Sequence, residues 1–221
     1  MKSLVELIGV ESLLDRCSTA MRDFARGQNA STVGAMHVTC SDESERECVE
    51  SFQHRFAEDL LPSLKYSAQS PFRTATLGGR YEWGSAELAE DHFTLEAAAD
   101  GSTLLCVKLN SHVAVVREGS NVRYGQMQRY GEASHFCGAL HAVLQGQQLP
   151  AIRNLAEAFR REGIDRIAML NDPSQVDPKY RSLLAAVASS RLQARRAVLD
   201  IQNATQRRNS QIMVLPCVTM N

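Results

Sequence analysis

The sequence predicts an α+β protein: one domain over 1–221, with a mixed or antiparallel sheet carrying an N-terminal helix and a long C-terminal helix. Two observations carry this. Apolar residues recur at helical spacing near both ends, and strand-like runs group between them instead of alternating with helices. The short stretch 146–150, around Gln147-Gln148-Leu149-Pro150, is the one weak seam, and no long-period repeat divides the chain.

Leu4, Leu7, Ile8, Leu14, Cys17, Met21 and Phe24 make one apolar helical face over 4–24, and Gly27 suits its end. Thr32–Cys40 reads as a strand. The acids after Ser41 open a second helix that carries Val49, Phe52, Phe56 and Leu60, with Pro62 to kink or stop it. Arg73–Leu77 and Arg80–Trp83 read as strands ending in glycines. Phe93–Ala97 and Thr103–Leu109 flank Asp100-Gly101, a hairpin signal. His112–Val116 is a short strand, 119–131 a glycine-marked loop, and 134–145 and 151–162 are helices. Ile164–Leu170 reads as a strand. Asp177-Pro178 starts a long helix running to about 203, and Ile212–Val218 is a last strand in which Pro216 marks a sheet edge or bulge.

Of 221 residues, 44% are hydrophobic and 22% charged, which excludes wholesale disorder. The net charge of -1 favours no partner by bulk electrostatics. No apolar run reaches the ~18 residues of a membrane span, and acids interrupt the first residues where a signal peptide would be apolar. A cytoplasmic protein with no membrane partner is expected. Six scattered cysteines without a C-x-x-C pair fit reduced thiols. Charge is uneven: 1–150 hold 13 basic and 19 acidic groups, and 151–221 hold 11 basic and 6 acidic. The acidic stretch 82–100 and the arginines of the last helix are expected to complement one another within the fold or across a homo-oligomer. The basic helix lacks the interleaved aromatics that nucleic-acid binding favours.

Chemistry concentrates in 119–145. Arg123-Tyr124-Gly125 and Arg129-Tyr130-Gly131 repeat a tripeptide that pairs a cationic fork with a phenol. If Ser134 caps the following helix, Cys137 falls in its first turn, where N–H groups and the dipole stabilise a thiolate, and His141 lies on the same face. The expected site is a pocket for a small anionic ligand: Arg123, Tyr124, Arg129, Tyr130, Ser134 and His135 bind it, and Cys137 and His141 supply thiol or acid–base chemistry. A non-catalytic homo-oligomeric module is the alternative, so enzymatic activity stays open. Cys137-Gly138-Ala139-Leu140 is similar to the nucleophile helix of papain-like cysteine peptidases over those residues alone. The order of groups differs, since the last histidine of the chain is His141.

The candidate metal ligands are His37, His54, His92, His112, His135, Cys137 and His141. Only His135, Cys137 and His141 are close in sequence, and His135 and Cys137 cannot share one helical face, although His112 could complete a site from the neighbouring strand. No metal ligand is assigned and no cofactor named.

Overall fold

A computed structural model describes residues 33–41, 72–93, 103–129, 131–135, 137–161, 166–205 and 210–220. The helices expected over 4–24 and after Ser41 lie outside these residues, as do Cys17 and Cys48.

Four strands form the central sheet: β1 (Val33–Cys40), β2 (Phe72–Thr76), β3 (Thr103–Val113) and β8 (Ser210–Met220), in the order β2-β1-β3-β8. Every pairing is parallel. The expectation of a mixed or antiparallel sheet is thereby corrected. Asp100-Gly101 and residues 94–97 of the expected hairpin lie outside the described residues, but β3 has β1 on one edge and β8 on the other, and Phe93 ends a helix. Strands distant in sequence lie on both edges of β3, and residues 104–113 are buried throughout, the polar Lys108, Asn110, Ser111 and His112 included.

Arg80–Trp83, expected as a strand, instead leads through a turn at Gly84 (φ +81) into helix α1 (Ser85–Phe93). α1 and the long helix α5 (Arg181–Thr205) cover one face of the sheet. Met36 and Val38 of β1 and Leu105, Val107 and Leu109 of β3 pack there against Tyr81, Ala86, Ala89, Ala197 and Ile201. Tyr81 ties the layers together. Its hydroxyl donates to Asp200 Oδ2 at 2.8 Å, its N–H donates to Gln193 Oε1 at 2.8 Å, and Asp200 Oδ2 also accepts from the Gly84 N–H. As expected, Asp177 caps the entry to α5: its Oδ1 accepts from the Lys179 N–H at 3.0 Å, and a 3-10 turn over Pro178–Tyr180 leads into the helix. Among the described residues β8 is an edge strand, which is where Pro216 is tolerated.

The glycine-marked segment 119–131 is largely strand. β4 (Val115–Glu118) pairs antiparallel with β5 (Asn121–Tyr124), and β6 (Gln126–Arg129) with β7 (Glu132–His135). Gly119, Gly125 and Gly131 take φ of +61, +82 and +84 at the turns that end these strands. Helix α2 (Gly138–Leu144) follows, then a 3-10 turn at Pro150–Ile152 running into α3 (Arg153–Arg161). The expected strand Ile164–Leu170 is instead helix α4 (Arg166–Asn171). Leu170 is buried while Ala168 and Met169 face outward, the one-sided burial of a helix, and Asn171 Nδ2 donates to the Leu144 carbonyl at 3.0 Å.

Candidate metal centre

From β1 the chain passes to β2 on one side, and β3 then lies on the other side of β1. In open parallel sheets, such a reversal leaves a crevice beyond the carboxyl ends of the two strands, where ligands bind. Cys40 is the last residue of β1, and His112 is the penultimate residue of β3. Cys137 precedes α2. The sulfurs of Cys40 and Cys137 and a ring nitrogen of His112 all lie within 4.8 Å of one another, and all three residues are buried. A tetrahedral zinc site, with bonds of about 2.3 Å to sulfur and about 2.0 Å to nitrogen, sets its donors roughly 3.5–3.8 Å apart. The triad therefore fits a metal with little adjustment.

Local structure explains the convergence. Cys137 has φ 53 and ψ 72, the single positive φ among the described non-glycine residues. A side chain held in the left-handed region costs about 1–2 kcal/mol and persists where its surroundings require it. Its carbonyl still accepts from the His141 N–H at 3.0 Å, so the residue is the N-cap of α2. On the strand side, Gly79 has φ +67 and lies so close to β3 that a Cβ there would overlap the Asn110 carbonyl. The adjoining turn is fixed by the Gly79 N–H and the Ser41 N–H, which donate to the Thr76 carbonyl at 3.1 and 3.0 Å. Asn110 Nδ2 donates to Thr219 Oγ1 at 2.8 Å, pinning β3 to β8 beside His112.

An apolar shell encloses Cys40 and Cys137: Val113, Leu140, Ile152, Leu155 and Leu183, with Tyr124, Ala139 and Val218 packed at its edge. Two thiolates and a neutral imidazole balance the charge of a divalent ion, so the loaded site is formally neutral and suits this low-dielectric setting. Cys106, in the middle of β3, shows the contrasting case. Burial alone pushes its thiol up to about 12, leaving a protonated core residue.

The residues singled out from sequence divide. Ser134 is in β7 and half-buried, so it does not cap α2, and Cys137 stands at the cap instead of inside the first turn. His135 and His141 are brought together, their rings stacked 3.6 Å apart at 9°. Burial lowers the pKa of His141 most, and the positive charges of His135 and Arg181 lower it further. Arg123 and Tyr124 alternate along β5: Tyr124 packs inward beside the Tyr180 ring, while Arg123 faces outward and pairs with Glu118. Arg129 sits at the end of β6 opposite Glu132, and Tyr130 lies outside the described residues. Cys40 is the member of the triad that the sequence did not single out. Its only signal was its place at the end of a strand.

No helix among the described residues is long and apolar enough to cross a membrane. No family model and no curated protein matches the chain. Solved structures do. The crystal structure of PtLCIB4, a homolog of the limiting CO2-inducible protein LCIB, superposes with a TM-score of 0.65 at 18% identity, covering 96% of this chain and 82% of that one. A histidine-to-alanine mutant of PtLCIB4 gives 0.62 at 19% identity, over 96% and 80%. LCIB itself gives 0.53 at 17% identity, over 96% and 85%. At this identity the likeness is one of fold: the chain adopts the same α+β architecture, with a parallel sheet and flanking helices, as the limiting CO2-inducible proteins.

Proposed function

We propose that Cys40, His112 and Cys137 hold a zinc ion and that the protein is a zinc enzyme acting on a small, uncharged carbonyl electrophile, with CO2 the first substrate to test. The observation that carries this is the convergence, among the described residues, of two thiols and one imidazole at the carboxyl edge of β1 and β3. Structural zinc sites close all four positions with protein ligands, whereas catalytic ones use three and leave the fourth to water or substrate. Held by Cys40, His112 and Cys137, zinc would supply Lewis acidity and would lower the pKa of a water toward neutrality. The chain's own residues do the rest. The two sulfurs and the imidazole set the coordination geometry, and Val113, Leu140 and Tyr124 line an apolar surround that suits a small substrate without charge. CO2 is named because the structural neighbours are called limiting CO2-inducible proteins.

The small-anion reading survives in altered form. A metal with an open position would receive the anion, including the bicarbonate that CO2 hydration yields, in place of the Arg123 guanidinium that pairs with Glu118.

The test is purification under reducing conditions with zinc, followed by metal analysis and stopped-flow CO2 hydration. One zinc per chain and a rate lost in Cys137→Ser and His112→Ala are expected. A chain that binds no zinc at either cysteine defeats the reading. A loaded chain without CO2 hydration removes the substrate but leaves the metal.

A further inference from the structure

We propose that Cys40 and Cys137 are a redox-sensitive pair, joined to each other as a disulfide by a peroxide and separated again by a dithiol, so that oxidation opens the metal site. The disulfide rests on the juxtaposition of the two thiols alone; only its consequence for zinc rests on the function proposed above.

The two sulfurs are at most 4.8 Å apart and must close to about 2.05 Å. Both residues stand at element ends, where torsional changes disturb one terminal bond instead of the middle of a strand or helix. Cys40 is the last residue of β1, and Cys137 precedes Gly138, where a side chain would project into open space. The left-handed backbone of Cys137 also gives that segment strain to relieve on rearrangement. Cys106 is fixed in mid-strand, with a thiol that burial keeps protonated, and is no competitor.

The chemistry balances. One sulfur attacks a peroxide oxygen, the O–O bond breaks, and hydroxide departs, leaving a sulfenic acid. The second sulfur attacks the first, the S–O bond breaks, and water leaves as the S–S bond forms. Overall, two thiols and one hydrogen peroxide give one disulfide and two waters. When zinc is bound, two protons come from solvent in place of those on the thiols. A disulfide carries no thiolate charge, so His112 remains as the one strong donor of the triad and the ion is released.

The test uses the full chain, stripped of metal and separately loaded with zinc, treated with stoichiometric hydrogen peroxide and mapped by non-reducing peptide analysis. His112→Ala, which keeps both thiols, and Cys137→Ser, which keeps one, are run beside it. The Cys40 and Cys137 peptides should be joined in stripped wild type and in His112→Ala, unjoined in Cys137→Ser, and freed by dithiothreitol. Sulfenic or sulfinic acid on either residue without the crosslink overturns the proposal, as does preferential linkage to another cysteine. In the loaded protein, a metallochromic indicator should report one zinc released per crosslink. Crosslinking with zinc retained overturns the switch. A chain that never takes up zinc defeats the enzyme reading, while the stripped protein still decides the disulfide.

Discussion

Gly79 presses against the carbonyl oxygen of Asn110, two residues before His112 on β3. The contact crosses the end of the sheet where β1 ends in Cys40, so one glycine packs the strand that carries His112 against the turn beside Cys40. Gly79→Ala would combine a left-handed backbone penalty of about 1–2 kcal/mol with displacement of that carbonyl. Zinc affinity should fall roughly tenfold, the scale seen when groups supporting metal ligands are moved. Thermal denaturation of the stripped protein and competitive zinc titration measure the two effects. Lower stability with unchanged affinity would show that the turn does not position the ligands.

The Tyr81–Asp200 bond, in the cluster between the sheet and α5, makes a separate prediction. Asp200→Ala leaves a buried phenol and the Gly84 N–H without their shared acceptor. The expected cost is about 2 kcal/mol, within the range for orphaned buried polar groups. Asp200→Asn, which keeps an oxygen acceptor, should cost less. Chemical denaturation reads both. Zinc binding should be unaffected, because Tyr81 packs in the cluster around Met36, Val107 and Ile201 and the ligand cysteines in another. Loss of zinc in either variant would link clusters that the packing keeps apart.

Strand identity was readable wherever apolar runs were long and bounded, as for β1, β3 and β8. Sheet order was not. The partners of β3 lie some seventy residues before it and a hundred after it, so nothing local distinguishes its parallel pairings from a hairpin at Asp100-Gly101. Cys40 was not legible for the same reason: beside Val38 it reads as a small strand hydrophobe, and its nearness to His112 and Cys137 appears only when β1 and β3 are adjacent. Cys137 stood out because its neighbourhood is rich in glycine and histidine. Ile164–Leu170 failed differently, since a short apolar run suits a strand or a buried helix equally well.

Arg123 tests where the small ligand is held. Its guanidinium and the Glu118 carboxylate are each 56% exposed, so their pair is screened by solvent and contributes little. Arg123→Ala should change stability by less than about 0.5 kcal/mol. It should also leave zinc binding and the activity of the loaded protein within roughly two-fold, because β5 turns this side chain away from Tyr124 and the cluster it packs on. A ten-fold rise in KM on this substitution would restore the arginine to the binding site and displace the metal as the sole anchor.

His37 predicts how stability responds to acid. It is 2% exposed on β1, with Arg73 opposite it on β2 and Lys108 opposite it on β3. Burial, then Lys108, then Arg73 drive its pKa down from 6.5 to about 3. Between those values the unfolded chain holds a proton on this imidazole and the native chain does not. Acid therefore favours unfolding: the contribution of His37 is fully present above pH 6.5 and is lost as the pH falls toward 3, at about 1.4 kcal/mol per pH unit. Carboxylates titrate over part of the same range, so the informative quantity is a difference. Urea unfolding of stripped wild type and His37→Gln should be followed from about pH 7 to about pH 4, with metal absent so that protonation of the ligand thiolates does not enter. Glutamine cannot take up the proton, so the variant's stability should fall less steeply with acid and the two curves should converge as the pH drops. Parallel curves would mean that the native fold accepts the proton on His37, against the burial and the two flanking cations that hold it off.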